Sequence, residues 1–335
     1  MRYFVTGATG FVGGRVARLL RAEGHDVNAL VRNPAQAADL AKLGVQLFPG
    51  DVTDPASLPA GMRGVDGVYH IAGWYKIGMR DKRPGQRVNV EGTRHVLTAM
   101  RDLGIPKGVY TSTLAVNSDT HGQLVDESYH FHGQHISEYD RTKAAAHDVA
   151  QEFINAGLPL VIVMPGGIYG PGDTSSLGES LQQYLKRRLP LLPTGTTLTF
   201  AHVDDVAHGH VLALEKGQAG QSYIIAGPVH TLIDFFRTAE AITGVPAPRL
   251  HLPPGLIRAT AALTSVVEKV IPLEGTYTSE GLRVIAGVTY IGNNAKARRE
   301  LGFAPRDLRE GLTETFAELL EKQQPPQWAQ EDISR

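Results

Sequence analysis

The chain opens on Arg2-Tyr3-Phe4-Val5-Thr6, a run of β-branched and aromatic residues, and then changes period. From Val12 the apolar positions Val16, Leu19 and Leu20 recur at helical spacing beside Arg15, Arg18 and Arg21, so a strand gives way to an amphipathic helix. This alternation repeats along the first half. Further strands are predicted over 27–31, 45–48, 67–71, 107–113 and 159–164, and a seventh over 222–226. Helices are predicted over 34–43, 86–103, 138–155 and 205–215. Strands alternating with helices predict an α/β fold, a doubly wound, seven-stranded parallel sheet with right-handed crossovers. After Pro165 the rhythm loosens into Pro- and Gly-rich loops, with helices predicted over 175–188, 232–243, 256–270, 279–285 and 308–322. These predict a smaller, mostly helical C-terminal lid interleaved with the last strand. The division expected is 1–165 plus 201–227 for the sheet domain, 166–200 plus 228–323 for the lid, and a loose tail over 324–335.

Between the first strand and the first helix stands Gly7-Ala8-Thr9-Gly10-Phe11-Val12-Gly13-Gly14. Such a junction aims unpaired backbone N–H groups and the positive end of a helix at one small space, which suits a pyrophosphate. Side chains there would block the turn, the approach of phosphates or the packing of helix on strand. The spacing is Gly-x-x-Gly-x-x-Gly, and its place between strand and helix makes it a dinucleotide-binding candidate. At the end of the second strand stands Arg32. An acid there would accept from a ribose 2′-hydroxyl, whereas an arginine accommodates a 2′-phosphate, so Arg32 favours NADP over NAD unless it is an ordinary surface arginine. Asp51 could accept from an adenine amino group, with Val52 adding a backbone contact, or be a solvated turn acid. Ala72 and Gly73 end the fourth strand with residues small enough for close backbone approach, and Trp74 follows at the same sheet edge.

Composition removes several classes. With 33 Lys and Arg against 34 Asp and Glu, the formal net charge is −1 and both signs are spread along the chain, which gives no reason to expect nucleic acid or an anionic membrane as partner. The absence of cysteine excludes disulfides, thiolate nucleophiles and Cys-ligated metals. A strand that starts at the N-terminus leaves no room for a signal peptide, and the apolar stretch 255–271 is too short and too charged to span a bilayer, so a cytoplasmic location is expected.

The fifth predicted strand ends in Thr111-Ser112-Thr113, three hydroxyls at a carboxyl end. His130, His132 and His135 follow in a predicted loop. No carboxylate-and-helix arrangement frames them, so no metal is expected and they read as pocket lining instead. Ser137 can cap the next helix, and on it Tyr139 and Lys143 stand four apart, on one face and one turn from each other. About 26 residues separate this pair from Thr113, in the position where a site could assemble.

Taken together, the motifs resemble the extended short-chain dehydrogenase/reductases, the superfamily of NAD(P)-dependent epimerases and dehydratases. They are Thr6-Gly7-x-x-Gly10-x-x-Gly13, Gly50-Asp51-Val52, His70-Ile71-Ala72-Gly73, Asn89-Val90-Glu91-Gly92-Thr93, Thr111-Ser112-Thr113, Tyr139-x-x-x-Lys143, Pro165-Gly166-Gly167-Ile168-Tyr169-Gly170-Pro171-Gly172 and His202-Val203-Asp204-Asp205-Val206-Ala207. Within the superfamily, Val31-Arg32 and the 110–117 stretch look most like the dihydroflavonol 4-reductase-like and 3β-hydroxysteroid dehydrogenase-like branches. The resemblance implies a Rossmann-type fold and a catalytic set of Thr113, Tyr139 and Lys143, with Asn89 supporting a proton-relay water or being a plain helix residue. It implies cofactor contacts from Gly7, Thr9, Gly10, Phe11, Val12, Gly13, Arg32, Asp51, Val52, Ala72, Gly73, Thr111, Tyr139, Lys143, Pro165, Gly166 and Ile168. Substrate contacts fall to Trp74, Phe131, His132 and Tyr169. In relatives the helices matching 86–103 and 138–155 pair as a homodimer, though some relatives are monomers.

The resemblance also orders the activities. Thr113 is followed by Leu114-Ala115 where sugar dehydratases carry an acid pair, and Leu198 stands where nucleotide-sugar epimerases usually place an arginine. The leading expectation is an NADP(H)-dependent reductase of a ketone or aldehyde on a fairly apolar small molecule. An NAD-dependent epimerase working by transient oxidation is the first alternative, and a non-catalytic dinucleotide sensor or assembly factor the second.

Overall fold

The computed structural model describes residues 1–321, so the tail expected over 324–335 and the last residue of the helix predicted over 308–322 lie outside the described residues. In chain order the first six strands are β1 (Arg2–Thr6), β2 (Asp26–Val31), β3 (Gln46–Pro49), β4 (Gly67–His70), β5 (Gly108–Thr111) and β6 (Leu160–Met164). The later ones are β7 (Gly167–Tyr169), β8 (Leu192–Pro193), β9 (Thr197–His202), β10 (Ser222–Ile224), β11 (Val229–Thr231), β12 (His251–Leu252) and β13 (Thr289–Tyr290). The main sheet has seven parallel strands in the order β10-β6-β5-β4-β1-β2-β3. Its order reverses beside β1, which pairs with β2 on one side and β4 on the other. In such sheets a crevice opens at that switch point, beyond the carboxyl ends of the strands.

The strand sequences place one core on each face. Along β1, Tyr3 and Val5 join the cluster under the helices Phe11–Ala22 and Val203–Lys216, whereas Phe4 joins the cluster under Gly92–Asp102 and Glu138–Asn155. In β6, Val161 and Val163 face the first and Leu160, Ile162 and Met164 the second. Helices on both faces leave no solvated side, which is why these strands read as continuous apolar runs. Each fully buried side chain of this kind contributes roughly 1.5–3 kcal/mol.

Two expectations need correction. The helix predicted over 86–103 is α-helical only from Gly92 to Asp102, and its first turn, Gln86–Glu91, is π-helical. The widened turn buries Asn89, which is 1 % exposed. The lid is mostly helical, but it also holds strands that were not expected. It contains a small sheet of β11, β9 and β13, with β7 paired to β9, and a two-stranded pairing of β12 with β8. Strands of two or three residues are too short to show a period-2 pattern, so only β9 had enough length to be seen. The boundary expected between 200 and 201 falls inside β9. The lid has its own aromatic core, in which Tyr169, Tyr184, Phe200, Phe235, Phe236 and Phe316 are buried. No helix among the described residues is long and apolar enough to cross a membrane.

Candidate active site

At the end of β1, Gly7 turns the chain with φ +73°, a left-handed value. A Cβ on Gly7 would lie 2.8 Å from the Ala72 nitrogen, and one on Gly13 would lie 2.2 Å from the Gly7 carbonyl oxygen. Gly10 caps the helix Phe11–Ala22 without a side chain, and the first turn holds no acid, so its N–H end is left for an outside acceptor. Thr9 and Gly10 are exposed on the rim, and Phe11 and Val12 are half-buried behind them. Arg32, just past β2, is exposed and makes no ion pair or hydrogen bond among the described residues.

Other predicted positions at this edge are more committed. The Asp51 carboxylate accepts from the Thr53 amide at 2.8 Å and its hydroxyl at 2.9 Å, closing a turn. Val52 is buried, and its carbonyl takes His95 Nδ1 at 3.0 Å. The Ala72 amide donates to Thr6 Oγ1 at 3.1 Å, and Gly73 is exposed. Beyond β6 the Pro165 carbonyl accepts from Leu114 at 2.9 Å, while a Cβ on Gly166 would lie 2.1 Å from the Thr199 carbonyl oxygen. Ile168 packs against the first core.

The three hydroxyls at the tip of β5 separate clearly. Thr111 is bonded to His210 Nε2 at 2.9 Å and Ser112 to His147 Nδ1 at 2.8 Å. Thr113 is the one within hydrogen-bonding reach of the Tyr139 phenol. Ser137 caps the helix Glu138–Asn155 as expected, accepting from the Asp140 amide at 3.1 Å. Lys143, one turn after Tyr139, is 6 % exposed and donates to the Thr111 carbonyl at 2.7 Å and to Tyr110 Oη at 3.2 Å. Burial pushes the phenol of Tyr139 up to about 12, opposed by its bond to Thr113. The same desolvation brings Lys143 down to about 7.

Tyr110 was not singled out in the sequence, and it extends the site inward. Its hydroxyl accepts from Lys143 and bonds Thr93, whose Oγ1 lies 3.0 Å from His70 Nε2. Thr6 Oγ1 accepts two amides, from Ile71 and Ala72, so its own proton goes to His70 Nδ1 at 2.8 Å. That fixes the proton of His70 on Nε2, and burial holds this histidine neutral, down to about 3. A buried line of polar side chains therefore runs from the glycine-loop strand to the lysine, hydrogen-bonded from Thr6 through His70 to Thr93 and again between Tyr110 and Lys143.

Asn89 behaves differently from the relay expected of it. Its Nδ2 donates to the Trp74 carbonyl and to Thr142 Oγ1, both at 2.9 Å, and its Oδ1 accepts from the Trp74 amide at 2.7 Å. It clamps the Trp74 backbone to the residue before Lys143, and both of its donors are used.

Tyr139 is also part of an apolar wall, the cluster in which Ile136, Leu198 and Val284 pack with Val288, Ala115 and Tyr290. Ile136 and Val288 also line a cavity of about 480 Å³, together with Phe131, Ala262, Arg258 and Arg283. Phe131, expected to contact substrate, lines this cavity. His132 is exposed and outside that lining, and Trp74 is held at the sheet edge instead. Tyr169 is not a pocket residue at all: it is 1 % exposed and packs edge-on against Phe235 and His202. The loop histidines do not converge on one point. Among the described residues the group that does is His202, Asp204 and Glu314, where Arg306 already bonds Glu314 and Arg15 lies 3.5 Å from Asp204. Arg258 and Arg283 carried no local signal, since their place at the wall depends on how the lid folds.

Comparisons with known proteins give the family and the fold. Residues 3–226 match the model of the NAD dependent epimerase/dehydratase family, and the chain belongs to that family, within the extended short-chain dehydrogenase/reductases. A Synechocystis sp. protein bearing a dihydroflavonol 4-reductase name is 33 % identical, covering 93 % of this chain and 92 % of its own. Sterol demethylase protein B of Methylococcus capsulatus is 31 % identical over 95 % of this chain and 98 % of its own. A solved structure titled gox2253 superposes with a TM-score of 0.84 at 32 % identity, covering 96 % of this chain and 98 % of its own. The UDP-glucuronic acid 4-epimerase of Bacillus cereus, solved with UDP-glucuronic acid and NAD, shares the fold with a TM-score of 0.75 at 22 % identity, over 96 % of this chain and all of its own.

Proposed function

We propose that the protein is an NADP(H)-dependent reductase that converts a ketone or aldehyde on a fairly apolar small molecule into an alcohol. The observation that carries this reading is the Tyr139 phenol beside the Thr113 hydroxyl, on the helix face that carries Lys143 one turn on and in one apolar cluster with Leu198 and Val288. A bound nicotinamide dinucleotide supplies the hydride. Gly7, Gly10 and Gly13 with the open helix end would hold its pyrophosphate, and Arg32 a 2′-phosphate.

The protein's own part is proton donation and electrostatics. With its phenol held at about 12, Tyr139 keeps its proton at neutral pH and is set to donate it to the substrate oxygen. Thr113 donates to the same oxygen as negative charge grows there. Lys143 stands one turn away, fixed by the Thr111 carbonyl and Tyr110, and its positive form favours the phenolate left after transfer. Leu198, in place of a cation, suits an apolar substrate rather than a diphosphate.

The test is oxidation of NADPH, and separately of NADH, across a panel of apolar ketones and aldehydes. Turnover with NADPH is expected. Interconversion of nucleotide sugars without net change in cofactor would favour the epimerase instead, and tight cofactor binding with no turnover on either panel would favour the sensor.

A further inference from the structure

The helix Pro254–Val267 is packed on one side only. Ile257 and Ala261 are its buried residues, and Arg258 and Ala262 face the cavity. On the outward side Leu256, Leu263, Val266 and Val267 recur at helical spacing, and Val270 and Ile271 continue the line past the helix end. Leu263 is 72 % exposed, Val270 85 % and the neighbouring Tyr277 74 %. Seven of the fourteen exposed large apolar side chains among the described residues fall within 256–277, so this is one patch and not a scatter of single residues.

A basic loop borders the patch. The Gly275 amide donates to the Gly78 carbonyl at 3.2 Å and Lys82 pairs with Glu280 at 3.0 Å, which fixes residues 76–83 beside Tyr277. Residues 74–87 carry Lys76, Arg80, Lys82, Arg83 and Arg87 against Asp81 alone, a formal +4 within a chain of −1. Lys76, Arg80 and Lys269 are exposed and form no ion pair among the described residues. Glu268 is taken up by Ser279, leaving Glu274 as the exposed carboxylate of that stretch.

We propose that this face docks the protein on the surface of an anionic lipid bilayer, with the helix Pro254–Val267 lying in the plane of the interface. An uncharged apolar ridge flanked by unpaired cations matches acyl chains flanked by anionic headgroups. A second copy placed on the ridge would present the same surface, on which Glu274 is the exposed carboxylate of the stretch set against Lys76, Arg80 and Lys269. The even charge of the whole chain, which spoke against a membrane partner, conceals this local segregation. The proposal stands on the surface alone and does not depend on the substrate or cofactor assigned above.

The experiment is sedimentation of the intact protein with phosphatidylcholine vesicles, with and without phosphatidylglycerol, at low and high salt. Binding to the anionic vesicles alone, weakened by salt, is expected. The double variant Leu263→Ser with Val270→Ser should weaken it by about tenfold or more, and Lys76→Glu with Arg80→Glu by a similar factor. All four side chains are exposed, so the melting temperature should hold and binding is read on folded protein. No binding to anionic vesicles, equal binding to both kinds, or a dimer in light scattering that the Leu263→Ser, Val270→Ser variant converts to monomer would overturn the proposal.

Discussion

Two surfaces meet at Tyr139, and they are built on opposite terms. Below it lies a polar floor at the strand tips, where Lys143, Tyr110, Thr93, His70 and Thr6 hand hydrogen bonds to one another in a buried space. Beside it stands the apolar wall of Ile136, Leu198, Val284 and Val288, supplied mostly by the lid, with which the Tyr139 ring is clustered. Buried polar groups tolerate little displacement, because an unmatched donor costs the desolvation of the group it abandons. Apolar contacts fall off with area and can be rebuilt around another shape. On the proposed function, the floor would fix the chemistry and the wall would select the substrate.

The sharpest test of that division is Tyr139→Phe. It keeps the ring against Leu198 and Val288 and deletes the proton donor alone. Turnover should fall by about 10³-fold or more, while dinucleotide affinity measured by fluorescence titration stays within a few-fold. Residual activity near wild type would mean that another group delivers the proton and that the floor has been misassigned.

Lys143 offers a second break, read as stability. Its folded pKa is near 7, below that of a free lysine at about 10.4, so the unfolded chain binds the extra proton between those values. In that window stability of the cofactor-free protein rises with pH, and below pH 7 the whole cost of burying the charge is present. Lys143→Met should remove this slope, with a net gain at or below neutral pH that stays under about 4 kcal/mol because the Thr111 carbonyl and the Tyr110 hydroxyl lose their donor, while turnover is abolished. Denaturation at several pH values, wild type minus variant, isolates the term. A parallel pair of curves would show that the ammonium is solvated and not part of a closed floor.

How much of this was legible follows the same line. The glycine loop, the capped helix and the Tyr139–Lys143 pair depend on contacts within a few residues, so sequence spacing was enough to place them. Which of Thr111, Ser112 and Thr113 faces the phenol depends on His210 and His147, 99 and 35 residues away, and no local pattern carries that. Tyr110 was hidden for a related reason: inside a strand it reads as core until Lys143 reaches its hydroxyl. Tyr169 was misread because an aromatic after the last floor strand fits a pocket and a lid core equally well. The lid wall, made by chain positions from 136 to 288, was the least legible part.

At the far end of the floor, Arg32 tests whether the polar edge extends to the adenosine ribose. Its side chain is exposed and unpaired, so Arg32→Ala removes no fold contact. Affinity for NADPH should drop by roughly 10- to 100-fold, the worth of one charge-assisted phosphate contact, while affinity for NADH changes little. Equal losses would strip the arginine of its role in recognising the 2′-phosphate.

The smallest effect is expected on the wall. Leu198 lies in β9 and touches both the aromatic lid core and the group around Tyr139, so Leu198→Ala removes contact area without touching a hydrogen bond. The loss of about 1–2 kcal/mol of apolar contact should appear as a rise in KM of roughly 5- to 30-fold for an apolar ketone, with kcat within about twofold. Stability should fall by a similar amount, because the site is only partly able to collapse. A fall in kcat with KM unchanged would place Leu198 in the positioning of the reacting carbonyl, and the separation between a chemical floor and a selective wall would fail at the residue where the two meet.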